Sequence, residues 1–192
     1  MAAVDAVFHL FSPGDHVILG DDLYGGSIRL FTNIYEKNGV EFTYVGTSDL
    51  DAVQAAFKPN TKAVYIETPT NPMMEITDVR ALSKMAHYRN ALVIVDNTFL
   101  SPYFQKPLHL GADIVVHSGT KFIGGHHDVI SGFTIVKDDE LAAQLRLIYK
   151  TVGACLSAFD SWLVIRGIKT LALRMEQRSE EHTSELQSRV EI

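Results

Sequence analysis

Five consecutive apolar residues, Ala91–Val95 (ALVIV), run straight into Asp96-Asn97-Thr98. A strand with no polar alternation must be buried on both faces, and such strands belong to parallel sheets covered by helices on each side. The same scheme recurs along the chain as short apolar or alternating runs, polar strand ends and amphipathic stretches. His16–Gly20, Val40–Val45, Ala63–Glu67, Asp113–His117 and Gly132–Val136 read as further strands. Residues 1–11, Ser27–Lys37, Leu50–Phe57, Thr77–Arg89, Leu141–Thr151 and Ala158–Arg174 read as helices, with Met85, Phe159 and Trp162 as core filling. The alternation predicts an α/β fold, a mostly parallel sheet sandwiched by helices. Ligands of such sheets bind beyond the carboxyl ends of the strands.

Composition narrows the function. A chain of 192 residues, 46% hydrophobic and 21% charged, buries a core and has the size of one domain. A net charge of −6 with no basic run argues against a nucleic-acid partner. The single cysteine, Cys155, excludes an internal disulfide and a cysteine metal cage and fits a reducing compartment. No apolar run reaches the length of a membrane span, and the opening MAAVDAVFHLF lacks a basic n-region, so a cytoplasmic location is expected. His126 and His127 are adjacent, point apart and have no acidic cluster beside them, so no metal is expected. A helix starting at residue 1 has uncapped N–H groups that want an N-cap or an anion upstream.

The polar strand ends carry the chemistry, and each has two readings. Tyr24, ahead of Gly25-Gly26, is a turn tyrosine or a ring laid flat on a planar ligand that glycine lets come close. Asn71, in Thr68-Pro69-Thr70-Asn71-Pro72, is a turn residue or a hydrogen-bond partner of a ligand, on a backbone that two prolines keep from helix until Asp78. Asp96 follows five buried residues, a costly place for a carboxylate unless a cation or donor meets it. It either caps a loop or pairs with a cationic ring nitrogen. Ser118-Gly119-Thr120-Lys121 leads into Gly124-Gly125. Its lysine is simply solvated, or it forms a Schiff base while the hydroxyls hold a phosphate. On one sheet edge, phosphate holders, an aromatic plate, a ring-nitrogen carboxylate and a Schiff-base lysine are together what pyridoxal 5'-phosphate requires. A nucleotide-binding Rossmann domain would need G-x-G-x-x-G, which LYGGSIR is not.

The strings DLYGGS, ETPTNP, VDNTF, LGADIVVHSGTKFIGGHHDVISG and FDSWLVIRGIKTLALRME resemble the Cys/Met-metabolism family of pyridoxal-phosphate enzymes, over residues 1 to about 177. The family includes cystathionine γ-lyase, cystathionine γ-synthase and methionine γ-lyase. The resemblance implies the large domain of the aspartate-aminotransferase-like fold, fold type I. It implies Lys121 as the aldimine lysine and later acid/base, and Asp96 as the partner of the pyridine nitrogen. Tyr24 would stack on the ring and help activate substrate or leaving group. Ser118 and Thr120 would hold the phosphate, with Thr98 near the ring and Asn71 at the ring hydroxyl or the substrate carboxylate. Met1 stands where the family has a Met preceded by Ser-Gly and is carried over as cofactor-binding.

The substrate implied is a small L-amino acid with sulfur or oxygen at Cβ or Cγ. The chemistry implied is C–S lysis of the transsulfuration type, cystathionine γ-lyase-like, through a Lys aldimine and a quinonoid. The alternatives are γ-replacement on an O-acylhomoserine, as in cystathionine γ-synthase, or an inert cofactor-binding fragment. Tyr24-Gly25-Gly26 has no cysteine after the first glycine, which disfavours a dedicated methionine γ-lyase. The family forms tetramers of catalytic dimers, so a homo-oligomer is expected. Residues 1–177 are expected to be an incomplete large domain, without the family's N-terminal arm and C-terminal small domain. Residues 178–192, opening RSEEHTSELQSR, lack a convincing apolar face and are expected to be a non-native tail.

Overall fold

The structure is a computed structural model and describes residues 1–190, the side chains to residue 180. The described residues form two compact units, Met1–Ser118 with Gly132–Cys155, and Gly119–Ser131 with the chain from Leu156 onward. Residues 191 and 192 of the expected tail lie outside the described residues.

The first unit is built on a six-stranded sheet. Its strands are β1 (His16–Gly20), β2 (Glu41–Val45), β3 (Thr61–Glu67), β4 (Leu92–Asp96), β5 (Ile114–Ser118) and β6 (Gly132–Val136), in the order β2-β1-β3-β4-β5-β6. All pairings are parallel except the last, where β6 runs antiparallel to β5 and Ser118 faces Gly132. Side-chain alternation sends Leu19, Tyr65, Ile94, Ile114 and Val116 to one face, against Val4, Val7 and Phe8 of α1 (Ala2–Phe8). Ile18, Val64, Ile66, Val93, Val95 and Val115 go to the other. There they meet Val53 of α3 (Leu50–Ala56) and Val79, Leu82 and Ala86 of α4 (Val79–His87). The two-sided burial read from ALVIV is therefore met.

Helix starts follow the capping chemistry of the sequence. The Asp49 carboxylate accepts the Asp51 and Ala52 N–H groups, and Asp78 accepts that of Ala81 at 3.0 Å. Asp138 accepts the Leu141 N–H at the start of α7 (Asp139–Val152). The helix expected over Ser27–Lys37 is instead α2 (Gly25–Leu30) followed by a π-helical turn, Phe31–Tyr35. Phe31 there packs on Phe8 with centroids 4.2 Å apart, and the Tyr35 hydroxyl donates to the Asp5 backbone carbonyl and carboxylate. Two short helices not foreseen, α5 (Ser101–Phe104) and α6 (Pro107–Leu110), link β4 to β5. Gly111 ends α6 at φ +112°, where a Cβ would stand 2.8 Å from Ser83 Cβ.

The second unit holds the 119–131 loop and two helices, α8 (Ala158–Ile168) and α9 (Leu171–Val190). The single helix expected over Ala158–Arg174 breaks at Lys169-Thr170. Gly167 explains the break, because its carbonyl accepts the Thr170 N–H at 3.2 Å and Arg174 Nη2 at 2.7 Å. Both divert it from the ordinary i+4 bond. The expectation that Phe159 and Trp162 fill the core is corrected, since they are 67% and 55% exposed. The buried stripe of α8 is Leu163, Val164 and Gly167, whereas Phe159 and Trp162 stack on each other at 6.1 Å along a separate line. Among the described residues no helix is long and apolar enough to cross a membrane.

Candidate active site

In the first unit the carboxyl edge of the sheet gathers polar groups in an otherwise apolar layer. Asp96 ends β4 and is 8% exposed. Its Oδ1 accepts the Thr98 hydroxyl at 2.5 Å and the Thr98 N–H at 3.0 Å. Oδ2 has only the Tyr65 hydroxyl at 3.4 Å, a long bond that leaves room for a stronger donor. Burial pushes the Asp96 carboxyl above the usual carboxylate range, and the bonds from Thr98 and Tyr65 oppose that rise. No ion pair among the described residues reaches it.

Thr98 ties two sequence-predicted residues together. Its hydroxyl oxygen donates to Asp96 and accepts the Ser118 N–H at 2.8 Å, at the end of β5. Tyr24 is the residue before α2, half-exposed, and its N–H donates to Glu67 Oε2 at 3.0 Å. Gly26 leaves room for the tyrosine ring, since a Cβ there would run into Tyr24 as it stands and lie 3.0 Å from Met1 Sδ. Thus Tyr24, Met1, Asp96, Thr98 and Ser118 share this unit's edge. Asn71 is exposed, just after the buried Thr68-Pro69-Thr70 beyond β3, and the Thr68-Pro69 and Asn71-Pro72 peptide bonds are both cis.

The second unit carries Thr120 and Lys121, just along the chain from Ser118. The Thr120 hydroxyl donates to the Ser131 carbonyl at 3.2 Å and accepts the Ser131 N–H at 3.0 Å, pinching the loop at its base. Lys121 is exposed, and among the described residues its ammonium makes no hydrogen bond or ion pair. Its backbone carbonyl accepts the Gly125 N–H at 2.8 Å. Arg174 braces this turn, with Nη1 donating to the Phe122 carbonyl at 2.6 Å, and Arg166 pairs with Asp128. Gly167 sits so close to the Ile123 and Gly124 carbonyls that no Cβ fits there. Arg178 lies over the Phe122 ring, 4.4 Å from its centroid.

Two buried groups escaped the sequence reading. Glu67, 7% exposed, ends β3 opposite Asp96, and burial first, then the Asp96 charge, raises it to about 7. His117, 4% exposed, is pushed down to about 4 by burial. The signal for Glu67 was present, because a carboxylate directly after the buried run AVYI has the same cost as one after ALVIV.

These donors suit pyridoxal phosphate. In the first unit the buried carboxylate has an oxygen to spare for a cationic ring nitrogen, and Gly26 leaves room for the Tyr24 ring; in the second, an unpaired lysine amine comes three residues along the chain from Ser118.

Comparison with known proteins agrees. The family model for the Cys/Met metabolism PLP-dependent enzymes matches residues 1–185. The cystathionine gamma-lyase of Bacillus subtilis (strain 168) is 52% identical over 176 residues, 92% of this chain and 46% of the relative. The cystathionine beta-lyase of Lactococcus lactis subsp. cremoris (strain MG1363) is 50% identical over 93% of this chain and 47% of its own length. For the Bacillus subtilis cystathionine gamma-synthase/O-acetylhomoserine (thiol)-lyase the figures are 48%, 92% and 48%. The crystal structure of cystathionine gamma-lyase from Lactobacillus plantarum complexed with L-serine superposes with a TM-score of 0.89 at 50% identity, over 90% of this chain and 45% of that one. The chain spans about half the length of the curated relatives it matches. By its family match and by its likeness to these relatives, it belongs to the Cys/Met metabolism PLP-dependent enzymes.

Proposed function

We propose that the chain carries the cofactor-binding part of a pyridoxal-phosphate-dependent C–S lyase of sulfur amino-acid metabolism, with cystathionine γ-lyase-like specificity. The observation that carries this reading is Asp96, a buried carboxylate with a spare oxygen and no cationic side chain among the described residues to pair with it. When bound, the cofactor supplies an electron sink that makes the substrate's Cα proton, and then a sulfur substituent at Cβ or Cγ, labile. Asp96 holds the proton of the ring nitrogen, and Thr98 orients that carboxylate. Lys121 holds the cofactor through its amine and afterwards moves protons at the substrate's Cα. Tyr24 covers one face of the ring and moves a proton at the leaving sulfur. Ser118 and Thr120 bind the phosphate, Met1 lies beside it, and Asn71 meets the ring hydroxyl or the substrate carboxylate.

Within this reading residues 1–177 belong to the large domain and 178–192 are a non-native tail, supported by the polar character of RSEEHTSELQSR. The working protein is a homo-oligomer, and the lone cysteine fits the cytoplasm. A γ-replacement activity on an O-acylhomoserine is the second reading. The 52% and 48% identities to a lyase and a synthase of one organism support both nearly equally.

The test is the visible absorption spectrum of the purified chain with pyridoxal phosphate, beside Lys121→Ala. A lysine-dependent band that survives dialysis supports the reading. A chain that forms no such band is an inert fragment. With the band in hand, cystathionine and O-acetylhomoserine separate the activities: 2-oxo acid and ammonia report lysis, a new thioether reports replacement.

A further inference from the structure

A second buried carboxylate stands beside Asp96. The β3–β4 register sets Glu67 directly opposite it, and alternation carries both side chains to the face that holds Tyr65 and Ile94. The two differ in their donors. Asp96 receives the Thr98 N–H and hydroxyl and, more distantly, the Tyr65 hydroxyl, whereas Glu67 receives the Tyr24 N–H at 3.0 Å. Besides the pair itself, Asp22 raises Glu67. Two like charges buried side by side cannot both be held cheaply, so a proton goes to the one with fewer donors.

We propose that Glu67 is a positioning residue of this site, which fixes Tyr24 through its backbone N–H and takes up the proton that leaves Asp96 anionic. The proton-sharing pair is independent of any ligand. Its consequence for catalysis rests on the reading of Asp96 as the ring-nitrogen partner. A neutral Glu67 keeps the local charge at one unit, so the carboxylate facing the ring keeps its charge and its orientation. It also makes Tyr24 and Asp96 parts of one strand-end clamp, since β3 and β4 each contribute one carboxyl group.

The experiment is a carbon-13 titration of the full chain labelled at its glutamate carboxyl carbons, with Glu67→Gln identifying the signal. Glu67 is expected to titrate near 7 rather than at the usual 4.5. In Asp96→Asn its midpoint falls toward 4.5, because the neighbouring charge is gone. In Thr98→Val it falls part of the way, since Asp96 then shares the proton, and this variant serves if Asp96→Asn does not fold. A Glu67 midpoint at 4.5, or one that neither variant moves, overturns the proposal. Failure of the functional reading looks different. If Glu67 titrates with Asp96 but no lysine-dependent band forms with pyridoxal phosphate, the carboxyl pair stands and the functional reading falls.

Discussion

The two edges of the sheet use the same residue types and treat them in opposite ways. At the amino edge Asp113, ahead of β5, accepts the Val93 N–H at 2.7 Å and faces the His87 ring nitrogen at 2.9 Å. Buried His16 opens β1 between the Thr61 and Thr43 hydroxyls, 2.7 and 2.9 Å from its two ring nitrogens. Every one of those groups is closed by the fold itself. At the carboxyl edge Asp96 has a spare oxygen, Glu67 has a single donor, and both are buried. A fold holds incompletely satisfied carboxylates where a ligand or a proton completes them, so polarity alone does not mark the working edge.

The largest expected effect separates the edges outright. Asp96→Asn should weaken pyridoxal phosphate binding by about 2–5 kcal/mol, the cost of removing one partner from a buried charge pair. The urea midpoint of the cofactor-free chain should stay the same or rise, because a buried charge has gone. Titration by absorbance and urea denaturation read the two effects.

Next comes pH. His117 sits at about 4 in the fold against the usual 6.5, so across that window the unfolded chain binds more protons and stability falls as pH drops. Glu67 is the reverse. Raised to about 7 from 4.5, it binds more protons in the folded chain, and its contribution is lost as pH rises through that range. The two slopes oppose each other between 4.5 and 6.5. In Glu67→Gln that opposing slope is gone, and His117 should raise stability by up to about 3 kcal/mol between pH 4 and 6.5, measured as urea midpoints. A flat profile in that variant would erase the contrast.

Asp113→Ala should lower stability by about 1–3 kcal/mol by stranding the Val93 N–H, with the cofactor titration unmoved. If it weakens cofactor binding as Asp96→Asn does, the edges are not distinct. Smallest is Thr43→Val, which removes one partner of His16 and should cost about 1 kcal/mol with no effect on cofactor binding.

Much of this was legible in the residues. His16–Gly20 and Gly132–Val136 stand as strands with the predicted bounds, because short apolar runs between turn residues leave a buried sheet few registers. Asp96 is visible because a carboxylate after ALVIV demands an explanation, and Glu67 after AVYI makes the same demand. What escaped depends on partners distant in sequence. The break after Ile168 comes from Arg174 competing for the Gly167 carbonyl, and the exposure of Phe159 and Trp162 follows from which stripe of α8 the loop carbonyls occupy. The widened turn at Phe31–Tyr35 accompanies the packing of Phe31 on Phe8 and the Tyr35–Asp5 bond, neither of which local periodicity reports.

The reversed direction of β6 carries one more meaning. Because Gly132 returns opposite Ser118, the lysine-bearing segment leaves the sheet and comes back one strand spacing away, about 5 Å. Both of its feet are planted by a ladder that does not depend on what lies between them. Doubling its length would cost only about 0.6 kcal/mol in closure entropy. The sheet therefore tolerates a change of length there, while the Thr120–Ser131 pinch and the Arg174 and Gly167 contacts hold the stretch around Lys121 itself to one shape.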